Sequence, residues 1–158
     1  MKNLIGFCAA GSGAGKTTLI CSQLEELRRR GVKTAVLKHG HHPPYRNHDT
    51  GRALAAGAAG ALYVSPEGWQ LELRPEEELP PEEAAALLRR LTGAELVIVE
   101  GWKKGSHPKI ALCRRGVSET LPCPQSELLA VITDMPVNTA LPCFRPEETG
   151  RICDFILE

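Results

Sequence analysis

The chain's first strand-like segment, Leu4-Ile5-Gly6-Phe7-Cys8-Ala9, runs into Ala10-Gly11-Ser12-Gly13-Ala14-Gly15-Lys16-Thr17, and a helical repeat begins at once. A short continuous apolar run is the pattern of a strand buried on both faces of a sheet. From Lys16 onward Ile20, Leu24 and Leu27 recur on one helical face; Arg28, Arg29 and Arg30 follow where a helix dipole favours cations, and Gly31 can close the helix. A strand, a glycine-rich loop and a helix in that order leave few folds open.

The loop has the spacing of a Walker A phosphate loop, with alanine in place of the first glycine. A triphosphate needs several backbone N–H groups turned inward around its oxygens, and small residues let the main chain come that close. Gly11, Ser12, Gly13, Ala14 and Gly15 are therefore candidate phosphate ligands through their amides. Lys16 supplies a charge to the β and γ phosphates, Thr17 a hydroxyl to Mg²⁺ and Thr18 a contact to the α-phosphate, at the positive end of the following helix. The competing explanation is a glycine-rich turn carrying a chance Lys-Thr.

The remaining pattern alternates strands and helices. Strands are expected at Lys33 to Lys38, Leu96 to Glu100, Lys109 to Cys113 and Leu128 to Ile132, with a hairpin of Ala61 to Val64 and Trp69 to Leu73 around Ser65-Pro66-Glu67-Gly68. Helices are expected from Asp49 through Ala56, at Glu82 to Leu91 and at Glu147 to Leu157. This predicts a single α/β domain over residues 1–158, a P-loop NTPase three-layer sandwich with a mostly parallel mixed sheet that includes a β-hairpin, and ligands at the carboxyl ends of its strands.

Charge narrows the partners. Nineteen basic residues offset nineteen acidic ones, so no overall field draws the chain to nucleic acid or membrane. No apolar run approaches the roughly 20 residues of a membrane-spanning helix. The apolar start faintly resembles a secretory signal, but processing would destroy the glycine loop; a cytoplasmic location is expected. The six cysteines lack the spacing of a zinc knuckle and read as reduced, mostly buried thiols, Cys8 and Cys21 among them on apolar stretches.

Two carboxylates and a histidine loop complete the candidate site. Glu100 ends the apolar run Leu96 to Glu100 as a Walker B carboxylate would, supporting Mg²⁺ or an attacking water; the alternative is a strand-end carboxylate with a structural partner. Asp49 is a second Mg²⁺ candidate, equally readable as a helix cap. Lys38-His39-Gly40-His41-His42 sets imidazoles and an ammonium at the end of a strand, for a transition metal, an anionic partner or substrate, or as an ordinary polar loop. Lys103 and Lys104 could add charge to the same rim.

With these residues in view the chain resembles the molybdopterin-guanine dinucleotide biosynthesis protein B family nearly end to end. The likeness rests on Ala9 to Leu19, on Leu37-Lys38-His39-Gly40-His41-His42, on Val99-Glu100-Gly101-Trp102-Lys103 with Lys109-Ile110, and on Thr133-Asp134-Met135-Pro136. It implies a GTP-binding homodimer, at most a slow GTPase with Lys16 and Glu100 as its catalytic candidates. It also implies an adaptor beside the guanylyltransferase that attaches GMP to molybdopterin, with molybdopterin or its insertion enzyme as further partners. The guanine loop would map near Thr133 to Pro136. The chain has no Asn-Lys-x-Asp signature, so Asp134 is assigned to the guanine N1 and N2 donors by position and chemistry.

Other classes are a small P-loop metabolite kinase and a GTP-dependent metal-insertion protein using the histidine loop. A fast phosphoryl-transfer enzyme wants an arginine aimed at the developing charge. Arg89 and Arg90 stand on a candidate lid helix, but the Ala-Leu stripe beside them reads as packing.

Overall fold

A computed structural model describes residues 3–40, 49–73 and 76–158. In chain order the elements are β1 (Leu4–Cys8), α1 (Lys16–Arg29), β2 (Thr34–Lys38), α2 (Asp49–Ala55), β3 (Gly60–Ser65), β4 (Gly68–Leu73), α3 (Pro81–Thr92), β5 (Leu96–Glu100), β6 (Lys109–Cys113), a 3₁₀ turn (Gln125–Glu127), β7 (Leu128–Thr133), β8 (Cys143–Phe144) and α4 (Thr149–Leu157). They form two compact units, Met1–His39 with Pro80–Glu158, and Gly40–Leu79.

The larger unit is built on a six-stranded sheet in the order β2-β5-β1-β6-β7-β8, and every pairing in it is parallel. All five residues of β1, β5 and β6 are buried, as strands covered on both faces require. One face packs Ile5, Phe7, Ile98, Ile110 and Ile132 against Ile20 and Leu27 of α1 and Ile152 and Ile156 of α4. Opposite, Leu4, Val97 and Val99 meet Ala85 and Leu88 of α3, while Cys8, Ala111 and Val131 are covered by Leu121, Met135 and Leu141. This gives three layers.

Helix α1 stops as its sequence dictates. Gly31 N–H donates to Arg28 O at 3.1 Å and Val32 N–H to Leu27 O at 3.0 Å, the paired bonds that close a helix at a glycine. Helix α3 opens on Pro81, carries Glu82 and Glu83 in its first turn, and ends at Gly93.

In the smaller unit the hairpin β3–β4 forms a sheet of its own, the antiparallel part of the fold. Its two-residue loop is held by Ser65, whose hydroxyl donates to Gly68 O at 3.1 Å and accepts from Glu67 N–H at 3.3 Å. Strand alternation and register put Leu62, Val64, Trp69, Leu71 and Leu73 on one face, all between 50% and 78% exposed. Asp49 and Thr50 of α2 line a cavity with Tyr63 and Gln70, which belong to the other face.

One expectation is corrected. Cys21 is exposed, as is Cys143; Cys8, Cys113 and Cys153 are buried and Cys123 lies between. The buried stripe of α1 is Leu19, Ile20, Gln23 and Leu27, and the 100° step from Ile20 carries Cys21 off it. Strand β8 is an addition to the expected elements, because two residues carry no periodicity.

Candidate functional site

The glycine loop leaves β1 and enters α1 through Gly15, whose φ of 86° follows a φ of 75° at Gly13. Side chains rarely adopt these left-handed values. Ala14 is buried and Ser12, Thr17 and Thr18 are exposed, so the loop is anchored from below and open above. Lys16 Nζ donates to Gly11 O at 3.2 Å, folding the ammonium back over the loop.

Register brings the candidate Walker B carboxylate to the loop. Glu100 pairs with Phe7 across β5–β1 and with Lys38 across β5–β2. Thr17 Oγ1 donates to Glu100 Oε1 at 2.7 Å, Lys38 Nζ stands 3.6 Å from the same oxygen, and Glu100 is only 8% exposed. Ligands bound at 2.0–2.1 Å to octahedral Mg²⁺ sit about 2.9 Å apart along an edge, so this oxygen pair fits two neighbouring positions of such an ion.

After Glu100 the backbone turns sharply: Gly101 has φ 90° and Trp102 φ 53°, the single positive-φ non-glycine among the described residues. The turn is tied down by Gly101 N–H to Phe7 O at 2.9 Å and His39 N–H to Glu100 O at 3.1 Å. The His39 ring stacks on Trp102 with centroids 4.5 Å apart at 16°. Lys103 Nζ then reaches Ala10 O at 2.8 Å.

On the other side of β1, the segment after β6 leans on the loop. Ala10 N–H donates to the buried Ser118 hydroxyl at 3.0 Å. The Arg114 guanidinium lies beside Gly15, where a Cβ would come within 2.9 Å of Nη1. Arg114 Nε is 3.9 Å from Asp134 Oδ2, and Asp134 Oδ1 accepts the Arg115 N–H at 2.8 Å. Asp134 follows β7 and faces a cavity of about 390 Å³ at the tips of β7 and β8, lined also by Met135, Pro136, Phe144 and Arg145.

The structure thus gathers Lys16, Thr17, Lys38, His39, Glu100 and Asp134 at one end of the sheet of the larger unit. Asp49 belongs to the smaller unit, where it opens α2 and pairs with Arg52 at 3.6 Å. His41 and His42 lie outside the described residues. Arg114 and Ser118 also stand against the glycine loop, and motif and periodicity do not reveal them. The sequence offers Arg89 and Arg90 as the arginines to consider, but Arg89 Nε bonds Ala94 O at 3.2 Å beyond the end of α3; the usable signal was adjacency, since Arg114 directly follows the strand beside β1.

A parallel sheet with a glycine cradle after its central strand, and a carboxylate on the neighbouring strand tip touching the cradle's threonine, defines a P-loop nucleotide-binding fold. The family model described as molybdopterin guanine dinucleotide synthesis protein B, MobB, matches residues 4–134, and the chain belongs to that family. It is 32% identical over 166 residues to the molybdopterin-guanine dinucleotide biosynthesis adapter protein of Escherichia coli, covering 100% of this chain and 93% of that protein. It is 31% identical over 148 residues to the protein of the same name from Haemophilus influenzae, covering 92% and 83%. A crystal structure of molybdopterin-guanine biosynthesis protein B superposes with a TM-score of 0.70 at 28% identity, over 98% of this chain and 97% of that one.

Proposed function

We propose that this protein is a GTP-binding adaptor of molybdopterin guanine dinucleotide biosynthesis, offering a guanylyltransferase a surface that GTP and Mg²⁺ regulate. The observation that carries the reading is the Thr17–Glu100 hydrogen bond at 2.7 Å beneath an open glycine cradle. A phosphate chain would lie on the amides of Gly11 to Gly15 with Lys16 as counter-charge and Thr18 near its base side. Mg²⁺ would take Thr17 and Glu100, directly or through water, with phosphate oxygens and waters completing its shell. Among the described residues no three His, Cys, Asp or Glu gather to hold a metal unaided, which suits an ion bound mainly by its nucleotide.

Strand order supports guanine. With phosphates over β1 and α1, a base directed across β6 reaches the cavity at the tips of β7 and β8, where Asp134 offers a carboxylate to the guanine N1 and N2 donors. Hydrolysis is slow in this reading, with Lys16 and Glu100 as the groups nearest the chemistry. We place the protein in the cytoplasm, where GTP is available; among the described residues no helix is long and apolar enough to cross a membrane.

The same reading makes the protein a homodimer. A two-stranded hairpin is marginal alone, and the face of Leu62, Val64, Trp69, Leu71 and Leu73 is exposed apolar surface that a second copy would cover. Calorimetric titration with GTP and ATP in Mg²⁺, with Lys16→Ala as control, tests the core claim. The expected result is GTP binding that the substitution weakens by about two orders of magnitude, with a preference over ATP of several-fold, roughly 1 kcal/mol. Equal affinity for ATP removes Asp134 from base recognition.

A further inference from the structure

The Walker pattern ends at Thr17, yet the most unusual charge near the loop is Arg114. Its guanidinium borders Gly15 at the amino end of α1, where the helix dipole is positive. Lys16 and Lys103 already bring ammonium groups to this loop, both bonded to its carbonyls. Among the described residues Arg114 makes no side-chain hydrogen bond; its one carboxylate neighbour is Asp134, at 3.9 Å through Nε, and the side chain is 52% exposed. Arg114 is thus a third cation beside the loop and the one nearest the positive amino end of α1, and a single carboxylate at 3.9 Å does not offset that gathering of charge, which favours a further anion over the loop.

The placement is enforced rather than accidental. Arg114 N–H and Ser118 O bond at 2.8 Å, Ser118 N–H returns to Arg114 O at 2.9 Å, and the Ser118 hydroxyl takes the Ala10 N–H. The small turn from Arg114 to Ser118 is thereby riveted to the loop's first residue. The Arg115 N–H to Asp134 bond ties the same turn to the tip of β7. Arg114 is thus the side chain that spans from the base-side carboxylate to the phosphate cradle.

Resting on the nucleotide reading above, we infer that Arg114 is a nucleotide-binding residue, a base-blind cation for the stretch of nucleotide between the base cavity and Lys16: the phosphate nearest the sugar. Strand order fixes which stretch, because β6 lies between β1, which leads to the cradle, and β7, which carries Asp134. Arg114 also balances the Asp134 carboxylate, so the two sites share one counter-ion.

The test is equilibrium competition of a fluorescent GTP analogue by GTP, ATP, GDP and guanosine in Mg²⁺, for wild type, Arg114→Ala, Arg114→Gln and Arg114→Lys, with thermal denaturation confirming the fold. Because a charge-assisted hydrogen bond to phosphate is removed, Arg114→Ala and Arg114→Gln should weaken GTP, ATP and GDP alike, by about 10- to 100-fold, spare guanosine, and be partly rescued by lysine. Unchanged affinities overturn the inference. So does a loss of GTP-over-ATP preference with ATP unchanged, which would mark Arg114 as a prop for Asp134. A wild-type protein that binds no triphosphate at all removes the nucleotide reading itself, a different failure.

Discussion

Thr17 and Glu100 are 83 positions apart in the chain and 2.7 Å apart in space. The hydrogen bond exists because β1 and β5 are in parallel register, which sets Phe7 beside Glu100 and brings the start of α1 over the strand tip. Glu100→Gln keeps the shape and a hydrogen-bonding oxygen but removes the charge that would support a divalent ion in the proposed reading. Nucleotide affinity in Mg²⁺ should fall about 10-fold, about 1.4 kcal/mol, and affinity measured in EDTA should hardly change. A similar fall under both conditions would place Glu100 outside metal support.

Lys16 makes one side-chain hydrogen bond among the described residues, to Gly11 O. Its removal should cost the fold little, because exposed or half-exposed polar interactions contribute well under 1 kcal/mol. Lys16→Ala should therefore melt within a degree or two of wild type while triphosphate affinity drops by about two orders of magnitude, the scale of one charged hydrogen bond. Melting and titration on the same preparation check both halves.

Local pattern carries far in this chain, and stops where packing is non-local. The strand boundaries of β5 and β6 are readable to the residue because continuous apolar runs end abruptly at Glu100 and Cys113. The glycine loop with Lys16 and Thr17 is recognisable from motif spacing, and Glu100 from its place at the end of an apolar run. Arg114 is not, since its role comes from lying beside Gly15, about a hundred positions earlier, and from a turn held by Ser118. Gln23 is likewise hard to read: the helical repeat sets it on the apolar face with Ile20 and Leu27 while its amide favours water, and it is fully buried with its Oε1 accepting from the Cys153 thiol of α4 at 3.1 Å.

The five apolar side chains on one face of β3–β4 are the basis of the dimer reading. Trp69→Glu with Leu71→Glu puts two charges on that face. Sedimentation equilibrium should report a homodimer for the wild type and monomer for the double variant at micromolar concentration. A wild-type monomer, or a dimer unaffected by both charges, excludes this face as the interface.

Thiol chemistry should follow exposure. Burial pushes the Cys8 thiol up to about 12, with the neighbouring Cys123 adding to the shift, and burial pushes Cys153 up to about 11. The thiolate is the reactive form, so at pH 8 a maleimide should label Cys21 and Cys143 quickly and reach Cys8 and Cys153 only after denaturation. Peptide mapping of a timed reaction decides it; early labelling of Cys8 would contradict its burial in the sheet, where its thiol meets Ile110 O.

Gly6 and His107 occupy one space. A Cβ on Gly6 would fall 2.3 Å from His107 Nε2, with the imidazole 1% exposed and neither ring nitrogen bonded among the described residues. Gly6→Ala should cost about 1–3 kcal/mol, the usual penalty for overpacking, and Gly6→Ala with His107→Ala should cost less than the sum of the single changes. Burial, then the Lys109 ammonium, lowers the His107 pKa to about 4, with Glu82 opposing. The unfolded chain, whose histidine titrates near 6.5, binds the proton more readily, so unfolding is favoured as pH falls from 6.5 toward 4 and nothing is gained above 7. The loss across that window approaches about 3 kcal/mol. Carboxylates with lowered values, such as Glu82 bonded to Ser106, act below their ordinary range near 4.5, so urea denaturation between pH 6.5 and 5 isolates the histidine. His107→Phe should flatten that slope; an unchanged slope would mean the imidazole is already solvated or protonated in the folded protein.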